Sequence, residues 1–350
     1  GIHMSKKLAV GIDLGTSKTA IVTSDSRRIC VPTAVGRPKD RIARRVTGRE
    51  SVVGDDLKHP SLSLDVIRPL SGAQFKYERR GDDASVEQAV LSDLHLILQH
   101  SMTRLGIDQA EVSQCVIGVP SRAELPAQQF VLDVGRRVCP QAIVVPEPFA
   151  VAYGIGHLSD ALIVDIGAGT IDICPMVGTY PMTESQVTVG TGGDAVDRAI
   201  TESLLEMLPE AVFRADEIRE LKERYGSVAV EGEEVLVTLT VAGRPQRVDF
   251  GPALREGCRL ILQPVVDGIF EALESYDYQT QKALLGRIVL AGGGGQVHGL
   301  DAHVEMQLRK EFGEARVQKV HDFVYAGAHG ALRLAVDMPA EHWDSLKSAA

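Results

Sequence analysis

The segment Leu8-Ala9-Val10-Gly11-Ile12-Asp13-Leu14-Gly15-Thr16-Ser17 decides how this chain is read. An apolar run of strand length reaches an aspartate, and a glycine then permits a tight turn followed by two hydroxyl residues. The same form returns about half a chain later, in Ala161-Leu162-Ile163-Val164-Asp165-Ile166-Gly167-Ala168-Gly169-Thr170. Either copy alone reads equally well as an ordinary hairpin turn. Two copies, each with its aspartate, weaken that reading and imply two similar domains presenting one turn each to a common cleft. Successive amides in such a turn form a nest suited to phosphate oxygens, to which Thr16, Ser17 and Thr170 add hydroxyls. An aspartate cannot favour phosphate, so Asp13 and Asp165 are expected to hold Mg²⁺, partly through water.

Outward from these turns, short β-branched runs alternate with helical spacing, the pattern of an α/β architecture. Strands are predicted at Thr19–Val22, Val116–Val119, Ala142–Val145 and Ile288–Leu290, with helices at Val90–Arg104 and Gln129–Val138. Val235–Val241 and Arg247–Phe250 predict a hairpin around Ala242-Gly243-Arg244-Pro245. One long helix is expected from Pro252 to Leu273, with a kink at Pro264. A third glycine-rich element, Ala291-Gly292-Gly293-Gly294-Gly295, follows a buried strand; a flexible loop is its plain alternative. The chain has no G-x-x-x-x-G-K-[ST], so it is no P-loop protein, and no complete dinucleotide fingerprint supports a nicotinamide site.

Bulk properties narrow the partners. The 350 residues suffice for two domains, and 44% hydrophobic with 24% charged residues is the profile of a folded globular protein. A net charge of −10 disfavours a sequence-independent grip on nucleic acid. No apolar run reaches the roughly 20 residues that span a bilayer, and no secretory signal follows Met4, so a cytoplasmic location is expected. Gly1–His3 read as a cloning remnant. Five scattered cysteines, Cys30, Cys115, Cys139, Cys174 and Cys258, argue against a disulfide framework or a zinc site.

Taken together, the segments resemble the five nucleotide-binding motifs of the superfamily of actins, heat-shock chaperones and sugar kinases. Gly11–Ser17 and Val164–Thr170 are similar to the two phosphate motifs, and Pro146–Gly154 to the first connecting helix. Leu290–Gly295, continuing to Asp301, resembles the adenosine motif, and Ala326–Ala331 the second connecting helix. All five occur in the family's order over most of the chain. Within the superfamily, the resemblance is to the bacterial actins of the MreB and MamK kind, through Ala34–Asp40, Val52–Asp56, Ile67-Arg68-Pro69-Leu70 and Gly192–Asp197.

The resemblance implies an α/β fold of two duplicated ribonuclease-H-like domains of the actin type, each with a small inserted subdomain and a nucleotide cleft between them. Domain I would be 5–155 plus 331–350, with an insert at about 32–70. Domain II would be 156–330, with an insert at about 190–258. It implies an ATPase that takes ATP or ADP with Mg²⁺ and polymerises head to tail with copies of itself; any adaptor protein is not identified. Asp13 and Asp165 would position Mg²⁺, and Glu147 would orient the attacking water with help from Thr170. Nucleotide contacts would come from Asp13, Gly15, Thr16, Ser17, Gly167, Ala168, Gly169 and Thr170. Further contacts would come from Gly193, Asp194, Arg219, Lys222 and Glu223, and from Gly292, Gly293 and Gly294.

Glu147 also reads as a carboxylate stabilised at a helix N-terminus between two prolines, and both readings can hold. Ile171 stands where the bacterial actins carry a second threonine, and Lys18 reads as a solvent-facing strand residue. Phe213 and Tyr225 are candidates for a filament surface or for subdomain core. The alternative class is a non-polymerising superfamily ATPase, chaperone-like or kinase-like. A chaperone would carry a substrate domain after the ATPase motifs, and no sugar-kinase catalytic aspartate is identifiable.

Overall fold

A computed structural model describes residues 7–57, 62–70, 84–120 and 125–347. The predicted remnant Gly1–His3 lies outside the described residues. The chain divides into two compact units, one formed by residues up to 157 with those from 324 onward, the other by Leu158–Phe323.

The first unit opens with β1 (Leu8–Leu14), β2 (Lys18–Thr23) and β3 (Arg28–Pro32). β1 and β2 are buried almost throughout because helices or neighbouring chain cover both faces, which is why they read as continuous apolar runs. A small insert follows: β4 (Val35–Pro38), α1 (Arg41–Thr47), β5 (Val52–Val53) and β6 (Leu64–Ile67), its sheet ordered β5-β4-β6. α1 starts where Asp40 accepts the Ala43 amide at 2.8 Å and stops at Gly48 in the left-handed region. The chain then returns through α2 (Ala84–Leu105), β7 (Val112–Val119), α3 (Leu125–Val138), β8 (Ala142–Pro146) and α4 (Glu147–Ile155). Leu91, Leu94, Leu98 and Met102 recur at helical spacing and bury one stripe of α2 in the core. The sheet order is β3-β2-β1-β7-β8, antiparallel as far as β1 and parallel beyond it.

The second unit repeats this plan. Its elements are β9 (Ala161–Ile166), β10 (Ile171–Met176), β11 (Val187–Val189), α5 (Gly193–Met207), β12 (Ala211–Val212), α6 (Ala215–Tyr225), β13 (Leu236–Val241) and β14 (Arg244–Asp249). Next come α7 (Gly251–Arg259), α8 (Leu262–Leu273), α9 (Tyr278–Leu285), β15 (Ile288–Ala291), α10 (Leu300–Phe312) and β16 (Val317–Lys319). The order β11-β10-β9-β15-β16, antiparallel as far as β9 and parallel beyond, matches the first sheet position for position. A separate sheet, β12-β13-β14, forms the counterpart of the first unit's small sheet.

Two local expectations change. The helix predicted over 252–273 is two helices, because Pro264 donates no amide and its ring clashes with the carbonyl four residues back, at Leu260. The break therefore falls at Leu260–Ile261, ahead of the proline rather than on it. The hairpin turn is also tighter than predicted. Ala242 and Gly243 alone form it, both with positive φ, and Pro245 lies within β14 opposite Thr240. β14 is an edge strand, where a missing amide is tolerated.

The chain ends in the first unit with α11 (Ala326–Asp337) and α12 (Ala340–Lys347). A Cβ on Gly330 would overlap the Ala150 carbonyl of α4, and one on Gly11 would overlap that of Ala328. These approaches seat all of α11 on β1 and α4, so the unit border lies at 323/324 instead of the predicted 330/331, which would cut this helix. The other border lies at 157/158 against the predicted 155/156. Trp343 of α12 is 1% exposed and its carbonyl accepts from Gln141 at 2.8 Å. The five cysteines form no disulfide; Cys30 is half-buried and the others buried. Phe213 packs on the second core, whereas Tyr225 is exposed.

Candidate functional site

Each unit builds its turn in the same way. In the first, the Gly15 amide donates to the Lys18 carbonyl at 3.1 Å; in the second, the Gly167 amide donates to Thr170 at 2.9 Å. The aspartates lie one residue inside their strands, Asp13 in β1 and Asp165 in β9. Both central strands end here beside a parallel neighbour, the end at which parallel α/β sheets bind ligands.

In the first unit, Asp13 pairs in register with Gly118 of β7, and Gly118 with Val145 of β8. One residue past β8, Glu147 is the first residue of α4, with Pro146 as N-cap and Pro148 behind it. A Cβ on Gly118 would stand 3.6 Å from the Glu147 Cα, so the start of α4 lies in van der Waals contact with β7. Glu147 and Asp13 thereby come into hydrogen-bond contact. Burial raises the Asp13 carboxyl to about 6, against the opposing pull of that hydrogen bond. Asp13 Oδ1 is buried and accepts no hydrogen bond. A buried acceptor left in that state is costly in a folded protein and fits a cation ligand. Thr16 and Ser17 are half-buried beside it, and Lys18 is exposed.

The second unit shows how its turn is aimed. The Gly193 amide donates to the Gly167 carbonyl at 2.9 Å, and the Asp194 amide to that of Ala168 at 2.8 Å. Across a trans peptide the carbonyl and the following amide point in opposite directions. The N–H groups of Ala168 and Gly169 are therefore turned away from α5. A Cβ on Gly192 would lie 2.6 Å from the Ala168 oxygen and 2.7 Å from that of Gly167, so no side chain fits there.

α6 braces this arrangement. Lys222 Nζ donates to the Gly193 carbonyl at 3.0 Å and pairs with Asp197 at 2.5 Å. Arg219 reaches Asp197 at 3.3 Å and Asp194 at 3.4 Å. Gly193, Asp194, Arg219 and Lys222 are thus brought together, while Glu223 lies on an exposed face of α6.

The glycine run divides by role. Gly292 has φ of 73°, and a Cβ there would lie 2.5 Å from the Asp165 Oδ1. Gly294 is excluded from carrying a side chain by Ile166. Around Gly293, by contrast, a Cβ would meet nothing within 4 Å. Packing explains Gly292 and Gly294 but leaves open space at Gly293. Gly294–Gln296, with Gly293 as its N-cap, is one tight helical turn rather than a flexible loop.

The MreB/Mbl protein family matches this sequence over residues 7–334. The chain belongs to the MreB/Mbl family. Among relatives, the actin-like protein MamK of Magnetospirillum gryphiswaldense is 36% identical over 340 residues, covering 97% of this chain and 92% of that protein. MamK of Paramagnetospirillum magneticum is likewise 36% identical, over 97% of this chain and 95% of its own. Among solved structures, a MamK double helical filament aligns with a TM-score of 0.86 at 34% identity, over 95% of this chain and all of that one. A non-polymerising MamK mutant bound to AMPPNP aligns with a TM-score of 0.68 at 34% identity, with the same coverage. The duplicated sheets of this MreB/Mbl protein are accordingly those of the actin fold. No helix among its described residues is long and apolar enough to cross a membrane.

In this MreB/Mbl chain, three residues beside the predicted set were missed. Gly192 holds the second turn by its lack of a side chain. Asp197 anchors Arg219 and Lys222. Asp172 accepts the hydroxyls of Thr170 at 2.8 Å and Thr188 at 2.6 Å. Asp172 had a local signal, since it follows Thr170 by two positions inside an apolar strand, where a charge needs a reason.

Proposed function

We propose that this chain binds ATP with Mg²⁺, hydrolyses it, and assembles with copies of itself into head-to-tail filaments in the cytoplasm. The observation that carries the reading is the second turn, whose Gly167 and Ala168 carbonyls are tied back by the α5 amides, which turns the amides that follow them away from α5. The AMPPNP in one MamK structure and the filament form of another support it.

Asp13 and Asp165 would hold Mg²⁺, which supplies neutralisation of the phosphate charge. The amides of Ala168 and Gly169, with Gly15, Thr16 and Ser17, would hold phosphate oxygens; Gly293 would lie against the nucleoside. Glu147 sits at a helix start with its carboxyl next to Asp13, and would orient a water and take its proton as the water oxygen bonds the terminal phosphorus and the P–O bond to ADP breaks. Thr170, whose hydroxyl donates a hydrogen bond to Asp172, would present its oxygen lone pairs to that water. Arg219 and Lys222 act first as braces of the Gly193 turn.

The deciding experiment is sedimentation with negative-stain microscopy and phosphate release, using ATP, ADP, AMPPNP and no nucleotide. Filaments that require the triphosphate are expected. Phosphate release from a protein that stays monomeric at high concentration, across salt and Mg²⁺, would replace the filament reading by that of a non-polymerising ATPase.

A further inference from the structure

We propose that Arg68 is a positioning residue of the first turn: by holding the Thr16 carbonyl from the neck of the small insert, it aims the Ser17 amide at phosphate. This rests on the nucleotide reading above and deepens it. The turns of the two units correspond residue by residue, because the Gly15 and Gly167 amides each donate to the carbonyl three positions on. Thr16 is therefore the counterpart of Ala168. The Ala168 carbonyl is held by a backbone amide, that of Asp194, at 2.8 Å. The Thr16 carbonyl is held instead by a side chain, Nη2 of Arg68, at 3.4 Å. That length makes it the looser of the two holds.

The neck explains the placement. Val35 pairs with Ile67, so the chain enters and leaves the insert side by side. On the entering side, the Thr33 amide donates to the Ser17 carbonyl at 2.9 Å. Thr33 is fully buried, its hydroxyl 2.8 Å from that of Thr19, so this hold is fixed. On the leaving side Arg68 directly follows β6 and precedes Pro69, which restrains it to extended backbone. Two successive carbonyls of the turn, Thr16 and Ser17, are thus held from the insert. Across a trans peptide the Ser17 N–H points opposite to the Thr16 carbonyl, so it faces away from Arg68. Among the described residues that N–H meets no acceptor. An occupied carbonyl side with an open amide side is the polarity that an anion needs. Thr33 acts through its backbone and Arg68 through its side chain, so the arginine is the part that substitution can remove.

The test uses the full chain labelled with ¹³C at threonine carbonyls and ¹⁵N at serine amides, which selects the Thr16-Ser17 and Thr23-Ser24 links in the NMR spectrum. Without nucleotide, Arg68→Ala should shift the Thr16-Ser17 signal and leave that of Thr23-Ser24 in place. With Mg²⁺ present, AMPPNP should move the Ser17 amide of the wild type. Affinity for AMPPNP and for ADP should fall about fivefold in Arg68→Ala, the worth of one hydrogen bond, with adenosine unchanged. Arg68→Lys, whose ammonium reaches the same carbonyl, should stay close to the wild type in both readouts. An unmoved Thr16-Ser17 signal in Arg68→Ala overturns the proposal, as does an equal loss for adenosine, which would mark a folding role. So does an AMPPNP complex in which the Ser17 amide signal stays where it was. A wild type that binds no nucleotide would instead sink the nucleotide reading itself.

Discussion

Asp172 stands directly across from Asp165 in the antiparallel pairing of β9 with β10, and each is only 4% exposed. Facing residues of such a pair lie on the same side of the sheet, so two carboxylates share one buried place. Like charges in that setting are costly unless partners compensate them. Asp172 is compensated by the Thr170 and Thr188 hydroxyls, and its second effect is to fix the rotation of the Thr170 hydroxyl.

Asp172→Asn keeps one carbonyl acceptor and removes one of the two like charges. Its thermal stability should stay within about 1 kcal/mol of the wild type. ATP turnover should fall roughly tenfold, the equivalent of one misdirected hydrogen bond. Unchanged phosphate release at saturating ATP would show that the orientation of Thr170 does not matter.

Glu147→Ala removes the group proposed to take the proton of water and leaves both turns intact. Nucleotide binding should be retained while phosphate release slows by roughly a hundredfold or more. Filaments formed with ATP should persist longer. Normal turnover in this variant would take Glu147 out of the chemistry.

Neighbouring glycines should respond in opposite ways. Gly292→Ala places a methyl group against Asp165 at positive φ and is expected to destabilise the chain by about 2 kcal/mol or more. Gly293→Ala has room and an ordinary helical φ of −64°, so stability should hold or rise slightly. Its nucleotide affinity should nevertheless drop severalfold. Chemical denaturation and nucleotide titration of the pair decide the matter, and unaltered binding in Gly293→Ala would remove that loop from the nucleoside contact.

Asp13 carries a pH signature. Its folded value of about 6 lies above the ordinary 3.8, so the folded chain holds the proton more tightly than the unfolded one. Stability from this group is therefore fully present below 3.8 and is lost as pH rises through 6. By pH 8, without Mg²⁺, the loss is on the order of 3 kcal/mol. Asp13→Asn should then unfold at a higher temperature than the wild type at pH 8, with the gap narrowing at pH 5. Melting curves with an equal gap at both pH values would contradict the raised carboxyl.

Much of the site was legible in the sequence because the chemistry of its turns is local. A tight turn after a strand needs Gly15 or Gly167 within two residues of its aspartate, and a helix that begins at Glu147 is announced by Pro146 and Pro148. Two such strands half a chain apart were enough to predict a duplicated fold, since strand, turn and hydroxyl all lie within one short segment. Element ends were less legible: at Pro264 the ring acts on a carbonyl four residues earlier, so the break falls where no unusual residue stands.

The sequence by itself thus determined the two aspartate–glycine turns, the α/β class and the family, because each depends on residues that are neighbours along the chain. Only the tertiary structure decided what those turns lean on. Gly192 is glycine because the Gly167 and Ala168 carbonyls fill the place of a side chain. Lys222 and Arg219 are occupied by Asp197 and Asp194, more than 20 residues away. Asp172 meets Thr188 only because β10 and β11 pair, and Arg68 meets Thr16 only because the insert brings the end of β6 back to the first turn. Such contacts are made by the closure of sheets and the packing of helices, which bring distant residues together without leaving a periodic trace in either partner's local sequence.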